Sequence, residues 1–402
     1  MKELSVAFFV AGTAIGAGMT ALPIALAQFG AIYAVLIMIG VWAIMYYSTL
    51  VGLELNLKAG KGTDMGGLST LFGNRVTFLI GRSSLFILLY ALLVVYFYGC
   101  SSIIQAFINS VFGIQISLAV VLLGYACFFC AVLLPSMRST DFTNRTLFLI
   151  KIALFSFLVV LFLFKFSSGL GFLSDIPPLN FRSVHYVIPI IFTGFGFQHL
   201  IYSMVDFCKN DRDKLKRGFL WGSLATLVIY IIWTMTTLGI VYYYDPMFYK
   251  QLLVGKVEVG VLVEHLAHIM EWPSIRLFVW SISILSILTS TIGVGVGLVD
   301  LVGSSIKNCA QTLSSQRVRG LSILIALVPT LCAALLIPNA FINVLSFAGM
   351  ILAIIAILLP LYFLRKVTPS FYPILKYKAL QFFVFAFGIF VVLCELLNLI
   401  RA

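Results

Sequence analysis

Charge is scarce in this sequence: of 402 residues, 10% are Asp, Glu, Lys or Arg. No polar stretch is long enough to fold by itself, which excludes a separate soluble domain and leaves one unit over residues 1–402. There are four histidines and the acids are scattered, so the converging acid, base or metal groups of a membrane-embedded enzyme acting on a lipid are missing. No GxxxxGK loop is present to cradle phosphates, which argues against direct drive by ATP. A channel usually needs a repeated filter or rings of like charge, and neither occurs. Cysteine gives no disulfide framework: the count of seven is odd, and most lie in apolar runs as small packing residues. The "CFFC" of Cys127 and Cys130 has redox spacing but lacks a βαβ context. No cofactor is called for.

What the chain has instead is apolar sequence, 62% hydrophobic with a mean hydropathy of +1.11. Runs of about 20 residues, the length that crosses a hydrocarbon core, fall at 4–27, 31–56, 82–110, 117–135, 144–166, 186–206, 217–243, 273–305, 319–338, 340–364 and 379–400. Lys2 and the "ALA" at 25–27 imitate a secretory leader, but Glu3 and the glycine-rich middle of the first run do not fit one. With the N-terminus cytoplasmic and the C-terminus outside, 20 of the 26 lysines and arginines fall on the cytoplasmic side, as positive residues do. The net charge of +12 therefore reports topology. Nucleic-acid binding, which gathers basic residues on one soluble face, is not expected, and the lipid bilayer is.

The first run carries "VAGTAIGAGMTALP", Val10 to Pro23, and the sixth carries "IPIIFTGFGFQHLIYSMVDF", Ile188 to Phe207. Residues that loosen a helix are tolerated at membrane depth where the freed backbone faces protein or a water-filled cavity. The sixth lies an odd offset of five runs after the first, so the two cross in opposite directions. The expectation is an all-α polytopic membrane protein of eleven transmembrane helices. Repeat one (4–166) and an inverted repeat two (186–364) form a five-plus-five pair with helices 1 and 6 broken, and an extra C-terminal helix (379–400) follows. A break exposes N–H groups at a positive helix end and C=O groups at a negative one. Two breaks side by side suit a zwitterion: its carboxylate on the N–H groups of Gly16, Ala17 and Gly18, its ammonium on carbonyls near Thr13, Ala14 and Phe192, Thr193 and Gly194. The plain alternative is that the glycines only allow close helix packing.

These two motifs resemble those of the hydroxy and aromatic amino acid permease family, the bacterial tyrosine- and tryptophan-specific permeases, and the likeness extends over nearly the whole chain in length and helix order. The resemblance implies the inverted-repeat fold of amino acid, polyamine and organocation transporters. It also implies uptake of an aromatic amino acid, tyrosine ahead of tryptophan, with protons across the bacterial cytoplasmic (inner) membrane. One departure stands out: the family usually carries histidine and glycine directly after the "FGF" of helix 6, where this chain has Gln198 and His199. Either residue is a candidate for the polar contact.

An aromatic substrate needs an apolar wall, for which Phe195 and Phe197 are candidates, with Phe347 and Tyr90 or Tyr96 to complete it. Lys151 lies about two turns inside the fifth run, where an ionisable group is a functional candidate. Its amine is expected near the carbonyls of broken helix 1 and the hydroxyls of Thr289 and Ser290, where sodium binds in sodium-driven relatives of this fold. There it would carry the coupling proton; the alternative is a lysine that snorkels to the surface. Glu54, Asp206 and Asp300 lie near predicted cytoplasmic helix ends as gate candidates. Glu264, His268 and Glu271 would share one helix face in "EHLAHIMEW", which an amphipathic lid explains more simply than a metal site.

Overall fold

The computed structural model describes residues 2–135, 143, 146–157, 160, 171–174, 181–254, 257–269, 273–309, 314–337 and 340–401, and all regular structure among them is helical. The chain opens with α1 (Lys2–Ala14) and α2 (Ala17–Leu26), then a long α3 (Gly30–Ala59). Gly60 ends α3 at φ 75°, left-handed backbone that a side chain resists. Asp64 caps α4 (Met65–Phe72) by accepting the Gly67 N–H at 2.8 Å. A reciprocal capping box of Asn74 and Thr77 starts α5 (Arg75–Phe112). Next come α6 (Leu118–Leu133), α7 (Thr146–Phe157) and the single turn α8 (Gly171–Ser174).

A second interrupted pair, α9 (Phe181–Gly194) and α10 (Ile201–Phe207), leads to α11 (Arg212–Tyr244). Asp211 caps α11, and its hydrogen bond to Lys214 holds its carboxyl below the usual range. Two short helices, α12 (Pro246–Val254) and α13 (Val259–Ile269), precede α14 (Pro273–Cys309) and α15 (Ser315–Leu336). Between α16 (Ala340–Ala353) and α17 (Leu359–Leu364) lies a π-helical stretch, Ile354–Leu358, ahead of Pro360. Proline cannot donate to the ladder, and the Ser48 hydroxyl donates instead to the Ala356 carbonyl within the widened turn. The last helix is α18 (Lys378–Arg401).

Among the described residues, eight segments are long and apolar enough to cross a membrane. The first of these, Gly18–Ala59, joins the second half of the first expected run to the whole of the second, and the other seven overlap the third and the sixth to eleventh runs, with ends that differ by seven residues or fewer. Among them, Val184–Phe207 qualifies across its interruption. Three of the eleven expected crossings fall short for different reasons. The break divides the first into pieces of 13 and 10 residues. The fourth is a helix of 16 residues, and the fifth reaches only Thr146–Phe157 within the described residues. Arg138, Arg145, Lys165 and Lys256, used for orientation, lie outside them.

One acid anchors the region before α18. Glu54, fully buried on α3, accepts the N–H groups of Ser370 (2.6 Å), Phe371 (3.0 Å) and Tyr372 (3.1 Å), with Lys58 4.0 Å away. Three donors in a row match a carboxylate's two oxygens. Glu54→Ala leaves those donors unsatisfied and is expected to cost about 3 kcal/mol, read as reduced thermostability in detergent. Glu54→Gln keeps an acceptor and is expected to lose less.

Candidate functional site

The two interruptions face each other. The first stops α1 at Ala14 and resumes at Ala17, with Gly16 as N-cap at φ −144°, ψ −127°. Gly16 to Gly18 thus form the start of α2, the positive end of its dipole. The second stops α9 at Gly194, runs through Phe195 to Phe197 without helical form, tightens into a 3-10 turn at Gln198–Leu200 and resumes as α10. A Cβ added to Gly18 would stand 2.8 Å from the Cα of Gly194, so the backbones approach as only glycine allows. A Cβ on Gly16 would collide with Ser290 Oγ of α14. Close helix packing, the plain alternative when read from sequence, is thus present at both glycines.

The carbonyls differ from the expected set. Phe192 and Thr193 carbonyls are taken by their own turn, accepting the N–H groups of Phe195 (3.2 Å) and Gly196 (3.0 Å). Those of Ala14 and Gly194 converge on Tyr230 of α11, a fully buried residue that sequence reasoning missed. The Tyr230 hydroxyl donates to Ala14 O, and Gly194 O is a second acceptor at 3.0 Å. Its ring packs edge-on against Phe195 at 5.2 Å between centroids. Thr13 is half-buried on α1.

Lys151 of α7 is buried, with 1% of its surface exposed, and does not snorkel. Its Nζ donates to Ile15 O of the first break at 2.7 Å and to Thr289 Oγ1 of α14 at 3.0 Å, and lies 5.0 Å from the centre of the Phe148 ring. Ser290 sits beside Gly16 and returns its own hydroxyl to Ser286 O at 3.2 Å. A buried amine, a broken helix and a hydroxyl-bearing helix are thereby tied at one point.

The aromatic candidates divide. Phe195 and Phe197 are fully buried at the break, the latter tilted against Phe219 at 6.3 Å. Phe192 turns toward Phe387 of α18 instead, at 6.3 Å. Thr193 is used to hold helices: its hydroxyl lies 2.9 Å from both Pro189 O and Leu345 O. Leu345 and Gly349, one turn apart on α16, both meet α9, so Phe347 between them points off that face. Tyr90 donates to Ile325 O of α15 at 2.8 Å, which turns it away from the breaks, whereas Tyr96 is buried.

Gln198 and His199 lie at the mouth of α10 and line a cavity that extends to Ser48, Asn56, Thr63 and Asp64. Gln198 Nε2 donates to Met45 O at 3.3 Å, while its buried Oε1 has no hydrogen-bond partner among the described residues. Near this end, Asp206 accepts the Gly62 N–H at 2.7 Å and Lys2 donates to Phe207 O at 2.9 Å. Glu54 and Asp206 thus bind backbone amides, and Asp300 is exposed. Glu271 lies outside the described residues, among which no group of three His, Cys, Asp or Glu could hold a metal ion.

The model of the tryptophan/tyrosine permease family matches residues 1–395. Tyrosine-specific transport system 1 of Haemophilus influenzae is 29% identical over 367 residues, covering 91% of this chain and 88% of that protein. The low affinity tryptophan permease of Escherichia coli K12 is 28% identical over 396 residues, covering 96% and 93%. In fold the chain is similar to MhsT, solved in complex with L-phenylalanine, with a TM-score of 0.63 over 98% of both chains at 13% identity.

Proposed function

This chain belongs to the tryptophan/tyrosine permease family, a multi-pass membrane protein and not an enzyme, and we propose that it takes up an aromatic amino acid with protons by alternating access. The observation that carries this is the meeting of two broken helices at Gly18 and Gly194. We place the substrate carboxylate on the N–H groups of Gly16, Ala17 and Gly18, where the helix dipole favours an anion. The ammonium goes to the carbonyls of Ala14 and Gly194, the pair that converges on one point. Phe195 and Phe197 wall the ring, and Gln198 with His199 leads from it into the cavity.

The same reading takes the chain as eleven crossings, with 4–166 and 186–364 as inverted repeats and 379–400 appended. The N-terminus is cytoplasmic, the C-terminus outside, and the membrane is the inner one of a bacterium. Tyrosine is the preferred substrate and tryptophan the second. Lys151 is the proton carrier: protonated, its amine ties the first break to Thr289, and on losing the proton it forfeits the charge that strengthens both bonds. Release of that tie at one stage of the cycle couples proton movement to rearrangement of helix 1.

Purified protein in liposomes is expected to accumulate labelled tyrosine under an inward proton gradient and to stop when a protonophore is added. Equilibration without accumulation, whatever the gradient, would contradict the reading.

A further inference from the structure

We propose that Tyr230 is a place-holder for the substrate's ammonium group: its hydroxyl serves the carbonyls of both breaks between transport events and withdraws when an amino acid binds. This rests on the preceding assignment of the breaks as a zwitterion site.

A phenol hydroxyl has one proton, so of Ala14 O and Gly194 O only one is fully satisfied at a time. An ammonium has three N–H donors and can serve both together, through charge-assisted bonds roughly twice as strong as neutral ones. The two groups need the same position, because both carbonyls lie within hydrogen-bond reach of the single Tyr230 oxygen. Unpaired buried carbonyls at membrane depth are costly, and a neutral donor on the neighbouring helix spares that cost without trapping the substrate. The fit is built into the fold: Tyr230 Oη stands 2.6 Å from where a Cβ on Gly18 would be, so the glycine makes room for the phenol. The ring is held edge-on to Phe195, which flanks the second break, so its withdrawal moves a wall of the aromatic pocket.

Equilibrium binding of labelled tyrosine to the full chain in detergent tests the exchange. Tyr230→Phe removes the competitor while keeping the ring, and is expected to bind roughly 2- to 10-fold more tightly than the wild type. Weaker or unchanged binding by Tyr230→Phe would mean a permanent strut and overturn the proposal. Should that variant fail to fold, 3-fluorotyrosine placed at position 230 keeps the hydroxyl. Its fluorine resonance is expected to shift on saturation with tyrosine, and an unmoved resonance would overturn the proposal equally. Failure of the wild type to bind either tyrosine or tryptophan would instead remove the zwitterion assignment, and this proposal with it.

Discussion

Lys151→Gln is expected to reduce gradient-driven accumulation to simple equilibration while leaving substrate binding measurable. A charge crossing a 100 mV potential is worth about 2.3 kcal/mol, which for one proton carried with each zwitterion supports roughly 50-fold accumulation. Without an ionisable amine that ratio falls to about one. Glutamine retains an N–H donor for Ile15 O and Thr289 Oγ1, 2.7 and 3.0 Å from the lysine nitrogen, so the tie between α7, the first break and α14 is weakened but not emptied. Uptake and equilibrium binding of labelled tyrosine, measured on the same preparation, separate the two effects. Accumulation that survives the change assigns the proton to another group.

The second large effect is an asymmetry between two glycines that touch. Gly18→Ala puts a methyl group 2.6 Å from Tyr230 Oη and 2.8 Å from the Gly194 Cα. The second contact is backbone and cannot swing aside. The breaks must separate, with overpacking of about 1–3 kcal/mol and a loss of tyrosine affinity of roughly tenfold or more. Gly194→Ala is expected to behave nearly as wild type, because its nearest neighbours, Gly18 Cα and the Tyr230 ring, would lie at 3.6 and 3.7 Å, ordinary contact distances. Binding assays on the two variants check this. Equal tolerance would show that the close approach is dispensable.

Both breaks were legible in the sequence because glycine inside an apolar run is costly to a helix wherever the chain passes. Lys151 was legible for a similar reason: a charge within a run of lipid-length hydrophobicity stands out against its neighbours. Tyr230 was not. It is one of 17 tyrosines, and its meaning comes from two carbonyls on segments 216 and 36 residues away, a convergence that no local pattern encodes. Glu54 reads in the sequence as a charge near a helix end, but its partners, the amides of 370–372, lie 316 to 318 residues away. Phe347 shows the limit of spacing arguments: an aromatic residue in run 10 is a natural wall candidate, and only the contacts of Leu345 and Gly349 with α9 place it off that face. The carbonyls of Phe192 and Thr193 each accept an N–H from their own turn, because a non-helical segment can still satisfy itself through short turns, and spacing alone does not show this.

An experimental structure of the full chain with tyrosine or tryptophan bound tests the central idea most directly. The account predicts the carboxylate within hydrogen-bond distance of the N–H groups at Gly16 to Gly18, and the ammonium between the carbonyl oxygens of Ala14 and Gly194, with both helices still divided there. An amino acid seated elsewhere, or either helix running unbroken through its glycines, would contradict it.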